Sequence, residues 1–121
     1  MKPGSPRERR LRPRMRVLHG EQIALGPGKV DLLAAIAETG SIRKTASRMG
    51  MSYMRAWVLI KTMNGCFKEP LVVAARGGRG HGGATLTATG RRALELYQGM
   101  EADCLKVTKP RWEQLKSLLR E

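Results

Sequence analysis

Three short runs of apolar residues at helical spacing, separated by two tight turns, constrain what residues 27–65 can fold into. From Pro27 to Thr39, Val30, Leu33, Ala34, Ile36 and Ala37 recur at intervals that fit one helix face, and Gly40 stands where a left-handed stop is easy. Ser41 can accept a hydrogen bond from backbone N–H groups one turn ahead, which opens a second helix with Ile42, Ala46 and Met49 inward and an end near Gly50. Ser52 does the same for a third helix running to about Gly65, whose inner face is Ala56, Ile60 and Met63, with Trp57 closing the core. Two helices joined by the turn Met49–Ser52 form a helix-turn-helix unit.

The flanks complete the pattern. Val17, Leu18, Ile23 and Leu25 surround a His19-Gly20-Glu21 break, which reads as a short hairpin. After Pro70 the β-branched run LVVAAR, the glycine-rich GGRGHGG and then ATLT read as strand, loop and strand, a wing. Thr87 or Thr89 can cap a long last helix with Leu94, Tyr97, Met100, Ala102 and Leu105 apolar; Pro110 is predicted to interrupt it before a short amphipathic helix carrying Trp112, Leu115, Leu118 and Leu119. The expected architecture is mainly α with a small β wing. Residues 1–13 would be a basic disordered arm, 14–92 a winged helix-turn-helix domain, and 93–121 C-terminal dimerisation helices.

Charge points to the partner. Lys and Arg total 23 against 10 Asp and Glu, a formal net charge of +13. Residues 1–16 hold seven basic residues against Glu8, residues 29–92 hold 11 against three acids, and residues 93–121 are balanced. A basic front with a neutral rear suits a polyanion on one side and self-association on the other. No run approaches the roughly 18 apolar residues of a membrane span, and the basic start lacks the apolar stretch of a secretory signal, so a cytoplasmic protein with no membrane partner is expected. Cys66 and Cys104 are expected to be free thiols, and with His19 and His81 they show no spacing that would nucleate a metal site. The loop from Gly77 to Gly83 lacks the Gly-Lys-Ser/Thr ending of a phosphate loop and leads into a strand. With no catalytic constellation and no cofactor motif, an enzyme is not expected.

A helix-turn-helix reads sequence through the first turn of its second helix, because only the major groove distinguishes all four base pairs. That turn is Ser52, Tyr53, Met54 and Arg55, and Arg55 is the leading candidate for a bidentate contact to a guanine edge. Ser41, Arg43 and Lys44 begin the preceding helix and are expected on phosphates, while Arg48 and Lys61 read as solvated charges. Arg76, Arg79 and His81 would bring cations from the wing to the backbone or minor groove. The expected function is therefore sequence-specific binding of double-stranded DNA. The alternatives are a sequence-indifferent architectural binder using the basic arm, and a winged helix that docks proteins, against which the charge of the reading face speaks.

The string GSIRKTASRMGMSYMRAWVLIKTMN, followed by PLVVAARGGRGHGGATLTATG and Tyr97, resembles the N-terminal DNA-binding domain of molybdate-responsive transcription regulators of the ModE type, which are similar to LysR-type winged helices. The resemblance covers roughly residues 15–107. It implies a homodimer joined through the terminal helices, with Leu94, Tyr97, Met100, Leu105 and Trp112 as interface candidates, on a palindromic operator. It also implies that molybdate is bound by a region following this domain, so no molybdate binding by this chain is expected. Relatives commonly carry a basic residue after the tyrosine; Met54 here leaves Arg55 as the reading cation.

Overall fold

The computed structural model describes residues 8–75 and 83–121. In chain order it contains β1 (Val17–His19), β2 (Gln22–Leu25), α1 (Pro27–Thr39), α2 (Ile42–Arg48), α3 (Tyr53–Gly65), β3 (Val72–Ala74), β4 (Ala84–Leu86) and α4 (Ala88–Lys116). Four of these boundaries have side-chain or glycine causes that act within one turn. Gly40 ends α1 at φ 64° and donates its N–H to the Ile36 carbonyl. Ser41, Ser52 and Thr87 cap the next three helices, accepting from the backbone N–H of Lys44, Arg55 and Gly90 respectively.

Helix α1 is the centre of the core. It buries Val30, Leu32, Leu33, Ala35 and Ile36, a broader face than the expected stripe, because it packs against α2, α3, α4, β2 and β4 at once. Ala34 is half-buried and Ala37 is exposed, so the expected inner face was rotated by part of a turn. On α2 the buried set is Ile42, Thr45 and Ala46, with Met49 half-buried. Thr45 is fully buried, and its hydroxyl meets that of Thr39 at 2.9 Å, so the polar group is not left without a partner.

Two antiparallel hairpins flank the helices. In the first, β1 pairs with β2 across a turn where Gly20 adopts φ 62°. In the second, Val72 pairs with Leu86, Val73 with Thr85 and Ala74 with Ala84. The α1–α2 connection joins this second sheet through a bridge between Ser41 and Gly83, with Ala84 N–H donating to the Gly40 carbonyl at 3.0 Å. The start of α2 and the wing strands are therefore held in one frame.

Three expectations are corrected. Pro110 does not end the last helix: α4 continues from Ala88 to Lys116 with Pro110 inside it. A proline removes one backbone donor but need not break a helix: the carbonyl left without its donor is that of Lys106, four residues back, and Lys106 and Pro110 are both exposed, so water is close at hand. Residues 8–13 do not belong to a loose arm, since Arg10, Leu11, Arg12 and Pro13 line a cleft with Pro27, Val30, Glu101 and Leu105, and Leu11 and Pro13 are half-buried there. Tyr97 is not a surface residue for a partner. It is 1% exposed, and its hydroxyl donates to the Met15 carbonyl at 2.7 Å, tying the entering chain to α4.

Burial pushes the Tyr97 phenol above its ordinary value, Glu101 adds to the rise, and Arg14 and Arg16 oppose it. Above about pH 10 the unfolded chain loses this proton while the folded one keeps it, so the stability it contributes is full below that pH and is lost as pH rises through the folded value. Tyr97→Phe should cost about 1 kcal/mol at neutral pH, the size of one lost hydrogen bond. Denaturant midpoints at about pH 8 and about pH 11 should then converge for native and variant chains, because the variant lacks the ionisation that weakens the native fold.

Candidate nucleic-acid interface

The helix-turn-helix presents one outward face. Helix α3 turns Ala56, Ile60 and Met63 into the core, which leaves Met54, Arg55, Val58 and Lys61 exposed on the opposite side. Its capping residue Ser52 is exposed, with its Oγ engaged by the Arg55 N–H at 3.0 Å. Arg43 and Lys44 are exposed at the start of α2, where Ser41 Oγ accepts from Lys44 N–H at 3.1 Å. Both short helices thus present cations in their first turns, and neither has an acid there.

Tyr53 sits between these groups. The Arg43 guanidinium lies 5.1 Å from the centre of its ring, and Trp57 meets it edge-on at 6.3 Å. A cation over an aromatic face is attracted by the ring quadrupole, and the edge-on contact suits the same charge distribution. Tyr53 is consequently half-buried, a platform that orients Arg43 more than a probe reaching outward.

Arg55 faces a different neighbourhood. It lines a cleft of about 510 Å³ with Arg14, Arg16 and Lys29, floored by Met49, Met51 and Leu59. Among the described residues no acid lines that cleft, so the cations gathered there reinforce one another's attraction for an anion. Lys29 also donates through Nζ to the Ile23 carbonyl. Arg48, by contrast, is paired with Glu38 at 2.8 Å. Arg76, Arg79 and His81 lie outside the described residues.

The wing is anchored to α3 by a side chain that sequence reading did not single out for this role. Asn64 Oδ1 accepts from Leu71 N–H at 2.8 Å and Val72 N–H at 3.2 Å, while Nδ2 donates to the Val72 carbonyl at 3.0 Å. One amide thereby satisfies three backbone groups at the base of β3. Sequence reading also left out Val58 and Lys29, and it counted Arg14 and Arg16 only as charges. Val58 had a local signal, since it follows Met54 by one helical turn; the clustering of Arg14, Arg16, Lys29 and Arg55 depends on the tertiary fold and had none.

Of the expected interface residues on α4, Met100 and Leu105 are exposed while Leu94 and Trp112 are half-buried. Among the described residues no three His, Cys, Asp or Glu side chains gather as a metal site, and Cys66 and Cys104 are free thiols. No helix among them is long and apolar enough to cross a membrane.

Capped α2 and α3 at a tight turn, with a hairpin pinned beside them and a long helix behind, define a helix-turn-helix DNA-binding domain. Residues 28–91 match the family of bacterial regulatory helix-turn-helix proteins, lysR family, and the chain belongs to it; this is a family of DNA-binding regulators, not of enzymes. The chain is 41% identical over 91 residues to the molybdenum-pterin-binding protein MopB of Rhodobacter capsulatus, covering 75% of this chain and 34% of that protein. It is 44% identical over 80 residues to the molybdenum transport protein ModE of Azotobacter vinelandii, covering 66% and 30%. To the DNA-binding transcriptional dual regulator ModE of Escherichia coli K12 it is 42% identical over 77 residues, covering 64% and 29%. The chain spans about a third of the length of these curated relatives, matching their N-terminal part.

Proposed function

We propose that this chain is a cytoplasmic, sequence-specific transcription regulator that places the first turn of α3 in the major groove of double-stranded DNA. The observation that carries this reading is the exposed Arg55 in the first turn of α3, which shares a cleft with Arg14, Arg16 and Lys29. Arg55 reads a guanine edge; Arg43, Lys44, Arg14, Arg16 and Lys29 hold phosphates and set the register without reading sequence. The protein works as a homodimer through α4, with Met100, Leu105, Leu94 and Trp112 toward the partner, so that two copies of α3 meet successive turns of a palindromic site about 34 Å apart. Molybdenum is named in two of the relatives, which makes genes of molybdenum uptake and use the first candidates for regulation.

Selection from a pool of random duplexes tests this reading. A palindromic sequence should be enriched and bound on the order of a thousandfold more tightly than unselected DNA at physiological salt. Enrichment of no sequence, with binding that depends only on salt, would instead identify a sequence-indifferent binder held by counterion release.

A further inference from the structure

The outward face of α3 is apolar along its middle. Met54 is 68% exposed and Val58 54% exposed, and they stand one helical turn apart on the same side. With Tyr53, Trp57 and Lys61 they line a shallow concavity of about 450 Å³. The helix carries no acid, and the strip is bordered by Lys61 and Arg55 of the same helix and by Arg43 over the Tyr53 ring, all exposed. Two apolar side chains side by side in a concavity with a positive border form a strip whose burial by a partner would be favourable.

The border identifies that partner by charge. A second copy of a chain with net charge +13 would be repelled from a cationic rim, whereas a DNA duplex brings phosphates to the rim and base edges to the strip. The major groove displays one apolar group on its floor, the C5 methyl of thymine. The rise of about 6 Å from Met54 to Val58 spans about two base steps.

Resting on the proposed reading of α3 as the recognition helix, we infer that Met54 and Val58 are specificity-determining residues that each bury a thymine methyl group in the major groove. Arg55 then supplies the hydrogen-bonded guanine at the edge of the same face, and the half-site has thymines about two base pairs apart beside it. Affinity at these positions comes from removing methyl surface from water, not from hydrogen bonds.

Replacing thymine by deoxyuridine deletes the methyl and leaves base pairing and charge unchanged. On the selected duplex, uracil at two positions per half-site should weaken binding about fourfold each, the factor expected for one buried methyl-sized group. Val58→Ala should abolish the thymine-to-uracil difference at one of these positions and Met54→Ala at the other. Both side chains are exposed and alanine favours helix, so folding is retained. Selective binding that is indifferent to uracil at every position would overturn this inference while leaving the recognition helix in place. A uracil effect that persists undiminished in both variants would assign the methyl contacts elsewhere and overturn it too. Loss of dimer mass in light scattering on Met54→Ala or Val58→Ala, with no uracil effect, would give the strip to a second copy. Absence of any sequence preference would remove the proposed function along with the inference.

Discussion

Gly90→Ala should destabilise the domain by at least about 3 kcal/mol, although alanine is the better helix former by about 1 kcal/mol. A Cβ at position 90 would lie 2.1 Å from the Leu71 carbonyl oxygen and 2.9 Å from its carbon. These are backbone atoms, and Leu71 is fully buried, so no flexible side chain can give way. That carbonyl already accepts the Thr87 N–H at 2.9 Å, while Thr87 Oγ1 accepts the Gly90 N–H at 2.9 Å. Moving α4 outward to clear the clash would stretch the contacts that join the helix to β3. Gly99→Ala on the same helix meets nothing within 4 Å and should stabilise by about 0.5 to 1 kcal/mol. Denaturant midpoints of the two variants should therefore move in opposite directions. A stabilised Gly90→Ala would mean that α4 does not approach Leu71 as described.

Asn64→Ala should cost about 2 to 3 kcal/mol, more than its size suggests. The substitution leaves the amide groups of Leu71 and Val72 and the Val72 carbonyl without the partner they share, in a region where Leu71 and Val72 are buried. Each buried polar group left unsatisfied costs about 1 to 3 kcal/mol, and water entering at the base of the wing recovers part of the total. Asn64→Asp keeps an oxygen for the Leu71 and Val72 N–H groups but sets a second acceptor against the Val72 carbonyl where Nδ2 donated, so it should also destabilise, and less so at acid pH where the carboxyl is protonated. Amide exchange at Leu71 and Val72 should accelerate in the alanine variant before exchange in α1 does, because the wing base opens locally. Uniform acceleration over the chain would show that Asn64 supports the whole core and not this joint.

The contrast between these residues and the caps shows where sequence is informative. Gly40, Ser41, Ser52 and Thr87 act within four residues of themselves, so helix boundaries could be read from spacing alone. The helix-turn-helix, the two hairpins and the outward position of Arg55 followed from such local signals. Tyr97 was misplaced because its partner, Met15, lies 82 residues away, and an apolar residue at helical spacing looks the same whether it faces its own core or a second copy. Asn64 reads locally as a poor helix residue near a helix end; its bond to the strand is visible only when β3 is in place. Pro110 was overread, because a breaker signal is decisive only where solvent or neighbours cannot accommodate the freed carbonyl. The reading face was legible as charge and incomplete as shape: Met54 and Arg55 were identified, whereas Val58 and the cleft cations emerged from the fold.

The most direct measurement is the binding of Arg55→Ala to the selected duplex and to random DNA of equal length at one salt concentration. If α3 reads the major groove through Arg55, the variant should lose about 1 to 3 kcal/mol on the selected site and almost nothing on random DNA, with preference relaxed at a single G·C pair in each half-site. Equal losses on both duplexes would reduce Arg55 to one more phosphate contact and contradict sequence reading by this helix.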